Sequence, residues 1–223
     1  GIPIQTYPLF ENALRHHKGH SIEDHMRQMG TLFEKFSEVA ANNPYSFYGT
    51  RRTVEELITV TPENRWISFP YPKWMNAMDG VNLGAAVILT SVGKAKELGI
   101  DPARWVFLHG CAEANEKINV TDRVNYYSAP AIGVNARHAL DMAGISVNQI
   151  NYFDFYSCFP SAVELACEEL GVEFDDPRGF TVTGGLPFFG GPGNNYSTHG
   201  LASMLPTLRA NPDSFGMVTA NGG

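Results

Sequence analysis

The chain has 223 residues, with 16 Lys and Arg against 23 Asp and Glu, a formal charge of −7 and a pI near 5.5. That acidic balance, with no basic stripe, argues against nucleic acid and anionic membrane surfaces as main partners. No apolar stretch approaches the roughly 18 residues that a membrane span needs. Three cysteines, an odd number with no pair at metal-ligand spacing, fit reduced thiols in a cytoplasmic protein.

In chain order, Pro8 to Lys18 reads as a short helix stopped by Gly19. Ser21 and Asp24 then resemble a capping box with Asp in the Glu position. The helix they open carries Ile22, Met26, Met29, Leu32, Phe33, Phe36 and Val39 at a 3.6-residue period and ends at Asn42-Asn43-Pro44. Thr53 starts a short helix or turn, and Trp66 to Asn76 is a packed loop rich in Pro and aromatics. Gly84 to Thr90 and Trp105 to Gly110 are continuous apolar runs, which predict strands buried on both faces and paired with each other. Between them Ser91 caps a helix from Val92 to Leu98, closed by Gly99. Pro130 to Ala143 is a helix ending at Gly144. Asn194 or Asn195 caps a helix reaching about Arg209, and Phe215 to Ala220 is a last strand, expected beside Tyr152–Tyr156. Strands alternating with helices predict an α/β layered fold. The final residues run from a strand into a glycine turn, so the expectation is a piece of a longer chain.

Four of the seven histidines, His16, His17, His20 and His25, lie close together, and His16 and His20 have i,i+4 spacing. Gly19 breaks the helix between them and no carboxylate or cysteine completes a set, so no metal is expected. Ser91-Val92-Gly93-Lys94 matches S-x-x-K by letters alone, since Ser91 is an N-cap. Cys167 shares a helical face with Val163, Ala166 and Leu170 and reads as core. The role of Cys111 stays open.

Two segments carry chemistry. The run from Tyr152 to Ser161 predicts a buried strand, Tyr152 to Tyr156, turning into a helix with Pro160 in its first turn, which continues to Leu170 and stops at Gly171. This delivers Tyr156 and Cys158 to the carboxyl end of a strand, where open α/β sheets place their chemistry. The helix dipole there favours a thiolate, while a free Cys is also a common small core residue. The second segment, Thr183 to Tyr196, holds Gly184, Gly185, Gly190, Gly191 and Gly193 ahead of a helix. It lacks the spacing of a Walker loop or a dinucleotide fingerprint. Its glycines imply backbone held close to another segment or to a ligand.

Taken in order, Tyr71-Pro72-Lys73-Trp74-Met75-Asn76-Ala77, the 79–91 segment, Phe155-Tyr156-Ser157-Cys158-Phe159, Gly184-Gly185-Leu186 with Gly190-Gly191-Pro192, and Ala220-Asn221-Gly222-Gly223 resemble the thiolase superfamily. The nearest branch is the sterol-carrier-protein-type thiolases and thiolase-like proteins, often labelled acetyl-CoA acetyltransferases. The resemblance implies a five-layered αβαβα fold of two similar halves with a helical loop domain. Residues 1–76 would be that loop domain, 77–112 the end of the first half and 113–223 most of the second. The nucleophilic Cys of the family would lie before Gly1.

The resemblance also implies site roles, with departures. Cys158 matches the proton-shuttling Cys of the branch, but Tyr156 stands where its His-Asp-Cys-Phe motif has His. Gly191 replaces the His of Gly-His-Pro, and Ala220 replaces the Cys of Cys-x-Gly-Gly. His199 is the available substitute base. Thiolase-like aldolases acting on CoA thioesters are similar at Tyr156 and Tyr196, which they use for proton transfer. The implied function is carbon–carbon bond formation or cleavage on a coenzyme A thioester substrate, with this piece inactive alone. The alternatives are retro-aldol cleavage through Tyr156 and Tyr196, or CoA-thioester or partner binding without turnover. Gly190, Gly191, Gly193 and Asn194 are the candidate thioester contacts, and a homo- or hetero-oligomer is expected.

Overall fold

The structure, a computed structural model, describes residues 2–221. Helix α1 spans Pro3–His17, starting five residues before the sequence reading because Pro3 is accepted in its first turn and Pro8 is tolerated inside it. Helix α2, Ile22–Asn42, begins where Ser21 Oγ accepts the Asp24 N–H at 3.0 Å. Asp24 returns the contact to the Ser21 hydroxyl, at 2.7 Å, since its side chain is one carbon shorter than Glu. Met26, Met29, Leu32, Phe33, Phe36 and Ala40 form its buried stripe, while Ile22 is exposed at the helix start. Helix α3, Val54–Ile58, carries a complete capping box from Thr53 and Glu56.

The expected loop of residues 66–76 contains a small antiparallel pair, β1 (Trp66–Ser68) and β2 (Tyr71–Pro72), followed by a 3-10 turn. Helix α4, Val92–Glu97, is capped by Ser91 as expected. The two apolar runs around it differ from their reading. Neither 84–90 nor 105–110 is a strand, and Ile88 and Leu89 are 92% and 81% exposed, with Phe107 and Leu108 at 58% and 65%. A strand buried on both faces needs ladder partners and covering layers, and the described residues supply neither to these runs.

Helix α5, Pro130–Ala143, ends at Gly144 and leads to strand β3, Ile150–Asp154. The strand is shifted two residues towards the N-terminus from its reading, because the Phe155 N–H leaves the ladder and donates to Phe180 C=O at 2.9 Å. Helix α6, Pro160–Leu170, ends at Gly171 as expected. Within the glycine-rich run, Gly185–Phe188 forms a single helical turn, α7. Helix α8 spans Tyr196–Ala210. Asn195 does not cap it with its side chain, which instead holds the Ala85 N–H at 2.9 Å and the Ala85 C=O at 3.3 Å. Strand β4, Phe215–Val218, pairs in parallel with β3, as expected for these two segments.

One core cluster joins the α2 stripe to Tyr71, Met75, Phe153, Phe155, Phe159, Val163, Leu186, Phe189 and Tyr196. The α2 face therefore packs directly under the turn after β3 and under the glycine-rich run. Gly184 and Gly185, with φ of +110° and +79°, make that approach possible. A Cβ on Gly184 would lie 2.6 Å from the Ala40 backbone N, and one on Gly185 2.7 Å from Ser157 Oγ.

Candidate functional site

Strand β3 delivers Asp154 to a fully buried position at its carboxyl end. Asp154 Oδ2 accepts from the N–H groups of Val182 and Thr183, at 2.9 and 3.0 Å, and from the hydroxyls of Thr181 and Thr183, at 3.1 and 3.0 Å. These bonds clamp the entry to the glycine-rich run onto the strand end. The Thr183 hydroxyl has one proton to give. Directed at Asp154, it leaves lone pairs for the Gly185 N–H at 3.1 Å and the Tyr196 O–H at 2.7 Å.

The turn from Phe155 to Phe159 then faces that run. Ser157 Oγ accepts the Leu186 N–H at 3.2 Å. The segment Ala77-Met78 is laced between them: the Ala77 N–H donates to Cys158 C=O at 3.0 Å, the Met78 N–H to Leu186 C=O at 3.2 Å, and the Gly191 N–H to Met78 C=O at 2.8 Å. The Tyr156 N–H donates to Thr219 Oγ1 at 2.9 Å, so the chain after β4 supports the same turn.

Of the sequence-predicted residues, Tyr156 and Tyr196 meet edge to face, with ring centroids 5.5 Å apart at 88°. Tyr156 is half-buried and Tyr196 fully buried. Cys158 is buried in the turn. Gly190 lies against Val81 and Leu83, and Gly191 against Ala77 and Met78, so these glycines approach other segments of the chain. Gly193 and Asn194 are exposed. His199 is buried on α8 with its ring edge-on to Phe189, 5.2 Å away, and its Nε2 has no hydrogen-bond partner. Surface grooves of about 340 and 280 Å³ lie along α2, neither lined by any of these residues.

Burial dominates the electrostatics. It pushes the Cys158 thiol up to about 12, against the lowering influence of Tyr7 and nearby backbone N–H groups. The expected thiolate at the helix N-terminus is therefore corrected to a neutral thiol, because desolvation outweighs the dipole. Tyr156 is raised by burial and by Cys158, and Tyr196 by burial and by Asp154. Asp154 is raised by burial, opposed by its hydrogen bonds. His199 is lowered by burial and stays neutral.

Tyr7, which no sequence motif marks, also belongs to the site. Its ring stacks on Phe159 at 4.5 Å and 21°, and its hydroxyl adjoins Cys158 and the Asn221 side chain, burial raising its own pKa. Nothing in the α1 sequence marks Tyr7, because only the packing of α1 across α6 brings it there. Asp154 and Thr183 belong to it as well. A carboxylate at the centre of an aromatic strand was the available signal, since such a group demands buried donors.

Over its full length the chain is similar to the monomeric SCP2-thiolase-like protein type 1 of Mycobacterium smegmatis, with 44% identity and a TM-score of 0.90. This chain belongs to the thiolase superfamily. It spans 49% of that relative's length. A second solved structure, the Ltp2–ChsH2(DUF35) aldolase, is similar over 99% of this chain and 61% of its own, at 18% identity and a TM-score of 0.76, a likeness of fold. No family model matches the chain, and no protein of curated function matches it. The thiolase-like α/β fold implied by the motifs stands, with β3 and β4 as its parallel strands. Among the described residues no helix is long and apolar enough to cross a membrane.

Proposed function

We propose that the whole protein makes or breaks a carbon–carbon bond on an acyl-CoA thioester, and that this chain supplies its proton-handling side. In this reading residues 1–76 form the loop domain, 77–112 close the first thiolase half and 113–223 form most of the second. The observation that carries it is the setting of Cys158: a buried neutral thiol in the turn between β3 and α6, with the Tyr7 hydroxyl beside it and the glycine-rich run facing its turn. A thiol that keeps its proton at neutral pH is suited to protonate carbon as a carbanion develops, and the Tyr7 hydroxyl supports the thiolate left behind. His199, neutral and with an unpartnered Nε2, is the candidate base in place of the missing Gly-His-Pro histidine. Gly193 and Asn194, exposed at the end of the run, would border the thioester, while Gly190 and Gly191, buried against residues 77–83, would hold that part of the run in place.

A second reading rests on the edge-to-face pair Tyr156 and Tyr196. There the two phenols handle the proton of a retro-aldol cleavage, the reaction class named for the Ltp2–ChsH2(DUF35) aldolase. That structure's DUF35 partner also makes a hetero-oligomer a reasonable assembly to seek. Substitution in the whole protein separates the readings. Acyl-transfer chemistry predicts that Cys158→Ala abolishes condensation and thiolysis of acyl-CoA while Tyr156→Phe costs less. Retro-aldol chemistry predicts the reverse ranking, with Tyr196→Phe also severe. An acyl-CoA that binds without any turnover refutes both and leaves a binding protein.

A further inference from the structure

Three helices converge on a buried polar centre that the candidate site does not use. Glu11 of α1, His25 of α2 and Glu164 of α6 are at most 1% exposed, and each offers a ligand atom within 4.8 Å of the other two. His25 Nε2 lies 2.6 Å from Glu11 Oε1 and 4.0 Å from Glu164 Oε2. Each carboxylate has its other oxygen held by a neutral donor. The Tyr71 hydroxyl reaches Glu11 Oε2 at 2.7 Å, and Gln28 Nε2 reaches Glu164 Oε1 at 3.2 Å. Tyr71 is itself fixed by Ser161, 2.8 Å away. The inner oxygen, Glu164 Oε2, is buried with no hydrogen-bond partner.

We propose that this centre binds a divalent cation of the zinc class through Glu11 Oε1, His25 Nε2 and Glu164 Oε2. Charge favours it: two carboxylates, a neutral imidazole and a divalent ion sum to zero in a dry setting, where two unbalanced carboxylates are costly. One nitrogen and two oxygens are an ordinary donor set for zinc. Tetrahedral zinc places its ligand atoms about 3.3 Å apart. The short His25–Glu11 contact must therefore open and the long His25–Glu164 one close, each by under about 1 Å. Tyr71 and Gln28 supply the outer hydrogen bonds that orient ligating carboxylates.

Other charged groups face the centre. Lys18 and Arg15 oppose a cation, but Lys18 is engaged with Glu168 at 2.7 Å. His20, partly exposed, lies 3.5 Å from His25 across their Nδ1 atoms. Without the ion the centre holds protons instead, since burial pushes Glu11 up to about 7 and Glu164 up to about 8 and lowers His25. Metal uptake would displace those protons. The histidine pair at i,i+4 spacing, His16 and His20, plays no ligand role. The structure recruits His25 and adds the carboxylates that no local spacing supplied.

The test is calorimetric and thermal titration of the intact, chelator-treated protein with Zn²⁺ alone. One equivalent should bind and raise the melting temperature. Glu164→Gln removes a charge while conserving shape, so the metal-free variant should melt no lower than the parent, bind Zn²⁺ at least tenfold more weakly and lose the metal-dependent rise. His16→Gln should change neither. No uptake by the parent, or undiminished uptake by folded Glu164→Gln, overturns the proposal. If Glu164→Gln fails to fold, anomalous scattering at the zinc edge from Zn²⁺-loaded crystals decides. A peak among Glu11, His25 and Glu164 supports the site, and a peak elsewhere or none overturns it.

Discussion

The Thr183 hydroxyl stands 2.7 Å from the Tyr196 hydroxyl and 3.0 Å from Asp154 Oδ2, so one oxygen ties the first residue of α8 to the last residue of β3. All three side chains are fully buried. Thr183→Val keeps the shape but leaves Tyr196 O–H and Gly185 N–H without an acceptor and Asp154 with one donor fewer. Leaving buried polar groups unpaired costs roughly 1–3 kcal/mol each. The expected outcome is a melting temperature lower by about 4–24 °C, at roughly 2–4 °C per kcal/mol for a chain of this size. Thermal unfolding followed by circular dichroism checks it, and an unchanged midpoint would show the hub to be dispensable.

Gly184→Ala should be more damaging. The residue has φ of +110°, and its new Cβ would meet the Ala40 backbone within 2.6 Å. Neither can relax cheaply, because Ala40 lies inside α2. Backbone strain and overpacking together should cost roughly 3 kcal/mol or more. Gly193→Ala shares a positive φ but meets nothing within 4 Å, so denaturant midpoints should fall further for Gly184→Ala than for Gly193→Ala.

These two positions also mark what could be read in advance. Helix limits were legible because capping is local: Ser21, Thr53 and Ser91 at starts, Gly144 and Gly171 at ends, all act within four residues. The pairing of β3 with β4 was legible from two apolar runs beside helices. The runs at 84–90 and 105–110 carried the same signal, yet Ile88 and Leu108 are exposed. An apolar pattern states what a segment would bury, not which partner covers it. The site divided in the same way. Tyr156 and Cys158 followed from a strand-to-helix turn, whereas Tyr7, Asp154 and Thr183 depend on contacts between distant segments. The glycine-rich run was legible as a close approach, but only the structure shows α2 as what Gly184 and Gly185 approach.

The thiol of Cys158 gives a pH prediction. Burial moves it from an ordinary 9.0 to about 12, so near pH 8 it holds about a thousandfold less thiolate than an unperturbed thiol. Iodoacetamide should label exposed Cys111 promptly and Cys158 only after unfolding, as read by mass spectrometry of the peptides. The sign for stability follows from the fold favouring the protonated form. Its contribution is complete below the unfolded value near 9 and is lost as pH rises towards 12. Cys158→Ala should therefore lessen the alkaline loss of stability in that window, and equal alkaline profiles would show that the thiol is not held as described.

Tyr7 offers the most specific check on how the site works, because it touches Cys158 from outside the recognised motifs. Its hydroxyl lowers the Cys158 pKa against burial, while its ring stays stacked on Phe159 whether or not the hydroxyl is present. Tyr7→Phe thus removes a hydrogen-bonding group and leaves the packing. In the whole protein, if Cys158 moves a proton, losing a partner that supports its thiolate should slow turnover by about 10- to 100-fold, the equivalent of roughly 1.5–3 kcal/mol for a hydrogen bond to a charged group. The alkaline limb of the rate profile should also shift to higher pH, because the thiol becomes a still weaker acid. A loss of stability alone would lower the amount of active protein without moving that limb. If turnover and limb both stay put, Tyr7 is a packing residue and Cys158 does not exchange its proton during the reaction.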